Sequence, residues 1–172
     1  MTIAIILILL VLPFLVLTTL EKRWPSLWMP PGLRGRIGLA LVLLFTATGH
    51  FIRTEPMIAM LPESVPWRAE IVLLTGLLEY AAAIGLLVPS AGIVRVTGIC
   101  LALFLIAVFP ANVYSAVSGK GLGSHGLGPW YLLFRAPLQF VLIGWTWRFA
   151  ICRDALPAGG GKGAPRAGGG GT

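Results

Sequence analysis

Three polar side chains lie inside long apolar runs of the sequence, at depths that water does not reach in a membrane. Glu79 lies near the middle of the run 69–88, and Arg135 and Gln139 lie within the run 130–151. Charged groups are costly in hydrocarbon, so they usually face the interior of a helix bundle and mark functional sites. A carboxylate, a guanidinium and an amide at this depth are suited to bind the carbonyl groups of a ligand or to exchange a proton.

Helix geometry places these three side chains at comparable depths. A helix rises about 1.5 Å per residue, so Glu79 lies about 15 Å below the start of its run, whereas Arg135 and Gln139 lie about 7 Å and about 13 Å below the start of theirs. Arg135 and Gln139 share one helix face, because they are one turn apart. We predict that Glu79 pairs with Arg135, with Gln139 or with both. Such a pair has two possible roles. It binds a ligand or exchanges a proton, or it only holds two helices together.

Other polar candidates lie nearer one end of the runs. His50 is close to the end of the run 37–52, with Thr46 one turn below it. Asn112 follows Pro110, which removes a helical hydrogen bond and leaves a carbonyl that needs a partner. The same depth count separates His50 from Glu79 by about 10 Å, which disfavours a direct bond between them. The expected pocket has His50, Asn112, Tyr114 and Tyr131 at its mouth and Glu79 and Gln139 at its floor.

His50 and Asn112 also have simpler interpretations. A histidine at a helix end is often a hydrogen-bonding end residue, and an asparagine after a proline is often a local cap. Both interpretations stay open beside the ligand-binding one.

Five apolar runs must position these residues. The chain has 172 residues, of which 57% are hydrophobic and only 11% charged. Soluble domains are about 25% charged, so this composition excludes a soluble globular protein, and its hydrophobicity excludes a disordered chain. A membrane span needs about 20 apolar residues. The predicted spans are 3–20, 37–52, 69–88, 93–109 with a continuation to 117, and 130–151, which together predict an all-α polytopic membrane protein.

The basic residues lie at the ends of these runs. A net charge of +7 is therefore a sign of membrane topology, and we do not expect nucleic acid as a partner. Nine Lys and Arg residues fall on one side of the predicted spans and three on the other. Because cytoplasmic loops carry the excess, we expect a bacterial inner (plasma) membrane protein with its N-terminus outside and its C-terminus in the cytoplasm.

Three segments organise the chain. Residues 1–35 are expected to form an N-terminal transmembrane helix and a cytoplasmic loop, and residues 36–152 the transmembrane core. The tail 153–172 is rich in Gly, Ala and Pro, so we expect it to be disordered, and a loop at 118–129 with five glycines is expected to be mobile.

Motifs for common cofactors are absent from the sequence. The two cysteines, Cys100 and Cys152, form no CxxC motif, and no Cys/His cluster has the spacing of a zinc site. The glycine-rich nucleotide motifs are also absent. We therefore expect no haem, flavin or metal in the chain itself, and no motif identifies the chain as an enzyme.

Short strings of the sequence carry a family resemblance. They are Gly49-His50-Phe51, Val65-Pro66-Trp67, Thr75-Gly76-Leu77-Leu78-Glu79, Ile84-Gly85-Leu86-Leu87-Val88-Pro89, Val108-Phe109-Pro110-Ala111-Asn112-Val113-Tyr114 and Arg135-Ala136-Pro137-Leu138-Gln139. In this order, the chain from about 36 to 148 resembles the DoxX family of small membrane proteins. The resemblance implies a DoxX-like core of four helices, to which the run 3–20 adds an extra N-terminal transmembrane helix. Members of that family have been linked to quinone-coupled sulfur oxidation and to membrane oxidoreductase assemblies.

Three functions are compatible with these observations. The first is an accessory or quinone-interacting subunit of a membrane redox system, which needs an oxidoreductase partner to carry electrons. The second is a non-catalytic assembly or interaction protein in the lipid bilayer, whose polar residues only specify helix packing. The third is a small-solute or proton carrier in which Glu79 titrates, and it ranks last because transporters are usually built from repeats.

Overall fold

The computed structural model describes residues 2–118 and 130–152. Apart from Ser118, the predicted glycine-rich loop lies outside the described residues, as does the predicted tail. The described elements are α1 (Thr2–Arg23), a short 3-10 turn (Pro25–Leu27), α2 (Pro31–Ile52), α3 (Thr54–Ile58), α4 (Arg68–Leu87), α5 (Ala91–Ser118) and α6 (Trp130–Thr146), which continues as a π-helical turn (Trp147–Ile151). Every element of regular structure in the described part is helical, which confirms the predicted all-α class.

Four of the helices, α1, α2, α4 and α5, are long and apolar enough to cross a membrane. Their large aliphatic side chains lie on the outer surface, as expected of groups that face lipid rather than water. Exposed examples are Leu12, Leu74, Ile84, Val96 and Leu103. The chain is therefore a multi-pass membrane protein. The predicted fifth span stays a prediction, since α6 has 17 residues of α-helix before its π-helical turn.

Helix α2 lies at the centre of the bundle. It packs against α1 on one side and against α4 on the other, while α5 packs against α4 and α6. The fully buried side chains Leu10, Leu39, Leu86, Val94 and Leu101 form the core between these helices.

Small residues bring the backbones together, as is common between membrane helices. A side chain at Gly38 would clash with the main-chain carbonyl of Leu10, so α1 and α2 cross at this glycine. One turn earlier, the ring of Phe149 covers Gly35, and the indole nitrogen of Trp145 donates a 2.8 Å hydrogen bond to the Gly35 carbonyl.

Helix α2 begins at Pro31, six residues before the predicted apolar run, and its first turns contain two buried arginines. Arg34 donates from Nε to the carbonyl of Met29 at 2.8 Å, and it forms an ion pair with Glu21 at the end of α1. These partners satisfy the guanidinium inside the protein, so the helix extends through a charged position that a hydropathy count excludes.

Arg36 ties α2 to α4. Its Nη1 donates to the carbonyl of Leu86 at 3.2 Å, in the last turn of α4, where helical carbonyls lack partners of their own. We call the end of the bundle that contains Arg34 and Arg36 the arginine end. The opposite end, which contains His50, α3 and the start of α4, is the histidine end.

Candidate functional site

Glu79 lies between α4 and α2 with only 9% of its surface exposed. Its Oε2 accepts a 2.6 Å hydrogen bond from Thr46 Oγ1, and its Oε1 lies 3.6 Å from Nε2 of His50. The buried carboxylate therefore has two polar partners, both from the neighbouring helix α2. We call Thr46, His50, Thr75 and Glu79 the His50–Glu79 site.

Helical spacing and one glycine bring these side chains together. Thr46 and His50 are one turn apart on the same face of α2. On α4, Gly76 lies one turn before Glu79, and a Cβ atom at this position would lie 2.7 Å from the Cβ of His50. That distance is far shorter than a normal carbon–carbon contact of about 3.5–4.0 Å, so glycine allows the histidine to pack directly on the α4 backbone.

Hydrogen bonds orient the imidazole ring of His50. Its Nδ1 lies 2.8 Å from the carbonyl oxygen of Val72 and 3.1 Å from Oγ1 of Thr75, which itself donates to the same carbonyl. A carbonyl oxygen only accepts, so we assign the hydrogen to Nδ1. In a neutral ring, Nε2 is then an acceptor, and it faces the carboxylate of Glu79.

A hydrogen bond between Nε2 and Oε1 would need a proton on one of these two atoms. The proton is on Nε2, which makes His50 a cation beside the Glu79 carboxylate, or it is on the carboxyl group beside a neutral imidazole. At 3.6 Å the contact is longer than a hydrogen bond, although within ion-pair range. The site can therefore donate a proton or accept one, and Nε2 and Oε1 are the atoms that do so.

The prediction that Glu79 pairs with Arg135 or Gln139 is wrong, because its polar contacts come from α2. Gln139 donates to the carbonyl of Leu105 on α5 instead, and Arg135 is half-buried on α6. The contact with His50, which the depth count disfavoured, is present. That count assumed that α2 and α4 end at one plane, whereas His50 packs level with Gly76, about one turn from Glu79.

In the described part of the chain, neither Asn112 nor Tyr114 forms a hydrogen bond or ion pair with Glu79. Asn112 is buried, and its amide donates to the carbonyl of Val108 at 3.5 Å, one turn back in the same helix, which continues through Pro110. Tyr114 lines a different cavity at the histidine end. The side chain of Tyr131 lies outside what the structure describes.

One member of the His50–Glu79 site was missed. Thr75 lies one turn before Glu79, and its only signal in the sequence is a hydroxyl group within an apolar run. Within residues 2–118 and 130–152, no three His, Cys, Asp or Glu side chains come together in a way that could hold a metal ion.

An apolar groove of about 290 Å³ runs between α4 and α5. Its lining includes Leu78 and Ala82 of α4, which lie on either side of Glu79 in the sequence, and Val96, Cys100 and Phe104 of α5. At 3.6 residues per turn, Leu78 faces about 100° away from Glu79 around the helix. The groove and the polar site therefore lie on neighbouring faces of α4.

These features define a multi-pass helical membrane protein with a buried polar site between two of its spans. The chain belongs to a family described as a domain of unknown function, DUF8561, whose model matches residues 39–150. The match runs from the middle of α2 into the π-helical turn after α6. Comparison with curated proteins and with solved structures finds no match.

The resemblance to the DoxX family is wrong, since the family that matches is DUF8561 and no DoxX match accompanies it. The strings that suggested DoxX consist mostly of Gly, Pro and aliphatic residues. Such residues are frequent in membrane helices of many families, so their order carries little information about ancestry.

Proposed function

We propose that this chain is an accessory subunit of a membrane redox system and that its His50–Glu79 site binds the head group of a quinone. The observation that carries the proposal is the 3.6 Å approach of His50 Nε2 to Glu79 Oε1. A quinone carbonyl needs a hydrogen-bond donor, and the hydroxyl of the reduced form needs an acceptor. One proton shared by an imidazole and a carboxylate supplies both.

The groove between α4 and α5 supports this ligand class. Quinones of membranes carry long apolar tails, and binding sites for such ligands are largely apolar with a few polar groups that fix orientation. The groove offers an apolar surface on the face of α4 next to the one that carries Glu79. In the proposal, the tail follows this groove and the head group reaches the polar site.

Electrons have to come from elsewhere. The sequence contains no haem, flavin or metal motif, so the proposal includes a membrane oxidoreductase as the partner that carries them. The excess of basic residues on one side of the spans further supports an orientation in the bacterial inner membrane with the N-terminus outside.

The test is the substitution Glu79→Gln, which keeps the shape of the side chain but removes its capacity to hold and release a proton. We expect the full chain in lipid nanodiscs to bind reduced ubiquinone, measured by quenching of tryptophan fluorescence, about 10- to 100-fold more weakly after this change. That range corresponds to the loss of one hydrogen bond to a charged group, about 1.5–3 kcal/mol.

Glu70→Gln is the matched control, because Glu70 is an exposed glutamate in the first turn of the same helix. It should leave affinity unchanged. Equal affinity of wild type and Glu79→Gln, or equal losses in both variants, would argue against a quinone site at Glu79.

A second candidate function is a non-catalytic assembly protein, and it is favoured by the way in which the site ties α2 to α4. His50 and Glu79 each have a partner on the other helix, and interhelical hydrogen bonds of this kind stabilise membrane bundles. In that case the wild-type chain binds no quinone, and Glu79→Gln lowers only the midpoint of thermal unfolding.

A further inference from the structure

A second cavity, of about 200 Å³, opens at the histidine end. Its walls come from α3, the segment that joins α3 to α4, the first residue of α4 and the last turns of α5. Its lining combines acidic, basic, phenolic and apolar side chains, namely Glu55, Ile58, Leu61, Glu63, Arg68 and Tyr114. None of these residues belongs to the His50–Glu79 site.

The polar groups of this cavity do not neutralise one another completely. Arg68 is half-buried, and within residues 2–118 and 130–152 its guanidinium forms no hydrogen bond or ion pair. The same holds for the carboxylate of Glu55 and the hydroxyl of Tyr114. The guanidinium of Arg68 and the carboxylate of Glu55 therefore face one space without forming an ion pair with each other. A ligand that carries both a negative and a positive group can bridge them.

The cavity lies at the end of the membrane spans, at the level of lipid head groups. The apolar span formed by α4 begins at Arg68. The preceding residue, Trp67, is 78% exposed, and tryptophan is enriched at the boundary between membrane and water. Ile58 and Leu61 give one side of the cavity an apolar surface, which suits the glycerol backbone and upper acyl chain of a lipid.

We propose that this cavity binds a phospholipid whose head group carries a primary amine, as in phosphatidylethanolamine. Arg68 and Tyr114 donate hydrogen bonds to the phosphate, and Glu55 accepts a hydrogen bond from the ammonium group. A choline head group has no N–H to donate to carboxylates, and a glycerol head group has no cation to balance them. The chemistry of the lining therefore selects the amine.

The experiment is native mass spectrometry of the full chain, released from micelles with equimolar phosphatidylethanolamine, phosphatidylcholine and phosphatidylglycerol of identical acyl chains. We expect preferential retention of the ethanolamine lipid. Arg68→Ala should reduce this retention about tenfold, the effect of losing one charge-assisted hydrogen bond. Tyr114→Phe should reduce it less, and because it removes only a hydroxyl, it tests the site even if Arg68→Ala folds poorly.

Arg53→Ala is the matched control, since Arg53 is an exposed arginine at the same end that does not line the cavity. Preferential retention that survives Arg53→Ala and falls in both cavity variants supports the proposal. Equal retention of the three lipids, or equal losses in all variants, overturns it. Displacement by an equal concentration of water-soluble phosphoethanolamine overturns the assignment to a membrane lipid.

Discussion

Gly76→Ala is the perturbation that tests the geometry of the His50–Glu79 site most directly. The new Cβ would lie 2.7 Å from the Cβ of His50, an atom fixed to the α2 backbone, so α2 and α4 must separate by about 1 Å to restore a normal contact. The hydrogen bond from Thr46 to Glu79, now 2.6 Å, would then lengthen beyond hydrogen-bond range. Overpacking costs about 1–3 kcal/mol and the lost hydrogen bond to the carboxylate about 1.5–3 kcal/mol, so we expect a total loss of about 2.5–6 kcal/mol.

The assay is thermal unfolding of the full chain in detergent, where a loss of this size lowers the midpoint by about 5–25 °C. Gly144→Ala is the control, because nothing lies within 4 Å of a Cβ at that position in α6. Replacing glycine by alanine within a helix stabilises by up to about 1 kcal/mol when there is space, so this variant should be at least as stable as wild type. If Gly76→Ala unfolds at the temperature of Gly144→Ala, the close packing of His50 on α4 is refuted.

Two further predictions concern α1 and the orientation of the chain. Gly38→Ala should lower the unfolding midpoint by several degrees, because its clash with the Leu10 carbonyl costs about 1–3 kcal/mol of overpacking. Gly92→Ala is the control, since the space around that glycine is open, and it should not lower the midpoint. Equal midpoints of the two variants would contradict the packing of α1 on α2. Cys152 is exposed at the arginine end, and in a Cys100→Ala variant it is the one cysteine left in the sequence. In this variant, a membrane-impermeant maleimide should label Cys152 only after bacterial spheroplasts are permeabilised. Labelling of intact spheroplasts would contradict a cytoplasmic C-terminus.

Hydropathy and charge predict most of the fold because the ends of membrane helices are set by solvent. The first run was predicted to end before Glu21, and α1 ends at Arg23, within the same charged segment. Helix α5 continues through Pro110, as predicted. The start of α2 was predicted too late, because Arg34 and Arg36 count as polar in the sequence although tertiary partners satisfy them inside the bundle.

For the site, as for the helix ends, features set by solvent could be predicted from the sequence, whereas features set by tertiary contacts could not. Burial of Glu79 follows from the cost of a charge in hydrocarbon and is visible in one sequence. Its partner depends on the vertical offset between α2 and α4, which is set by the chain that connects them and by the contact at Gly76. An offset of one or two turns changes which residue faces Glu79, and hydropathy contains no information about it.

The His50–Glu79 site can tie α2 to α4 and also bind a ligand, because different polar atoms of the two residues are available for each role. Nδ1 of His50 is held by the carbonyl of Val72, and Oε2 of Glu79 is held by the hydroxyl of Thr46. These two atoms tie α2 to α4, while Nε2 and Oε1 face each other across 3.6 Å. A gap of 3.6 Å does not admit a ligand atom between Nε2 and Oε1, so a ligand oxygen has to approach both atoms from one side, which leaves both structural hydrogen bonds intact. A site built only to join two helices would instead be expected to close this gap to hydrogen-bond length, since a shorter contact holds the helices more strongly.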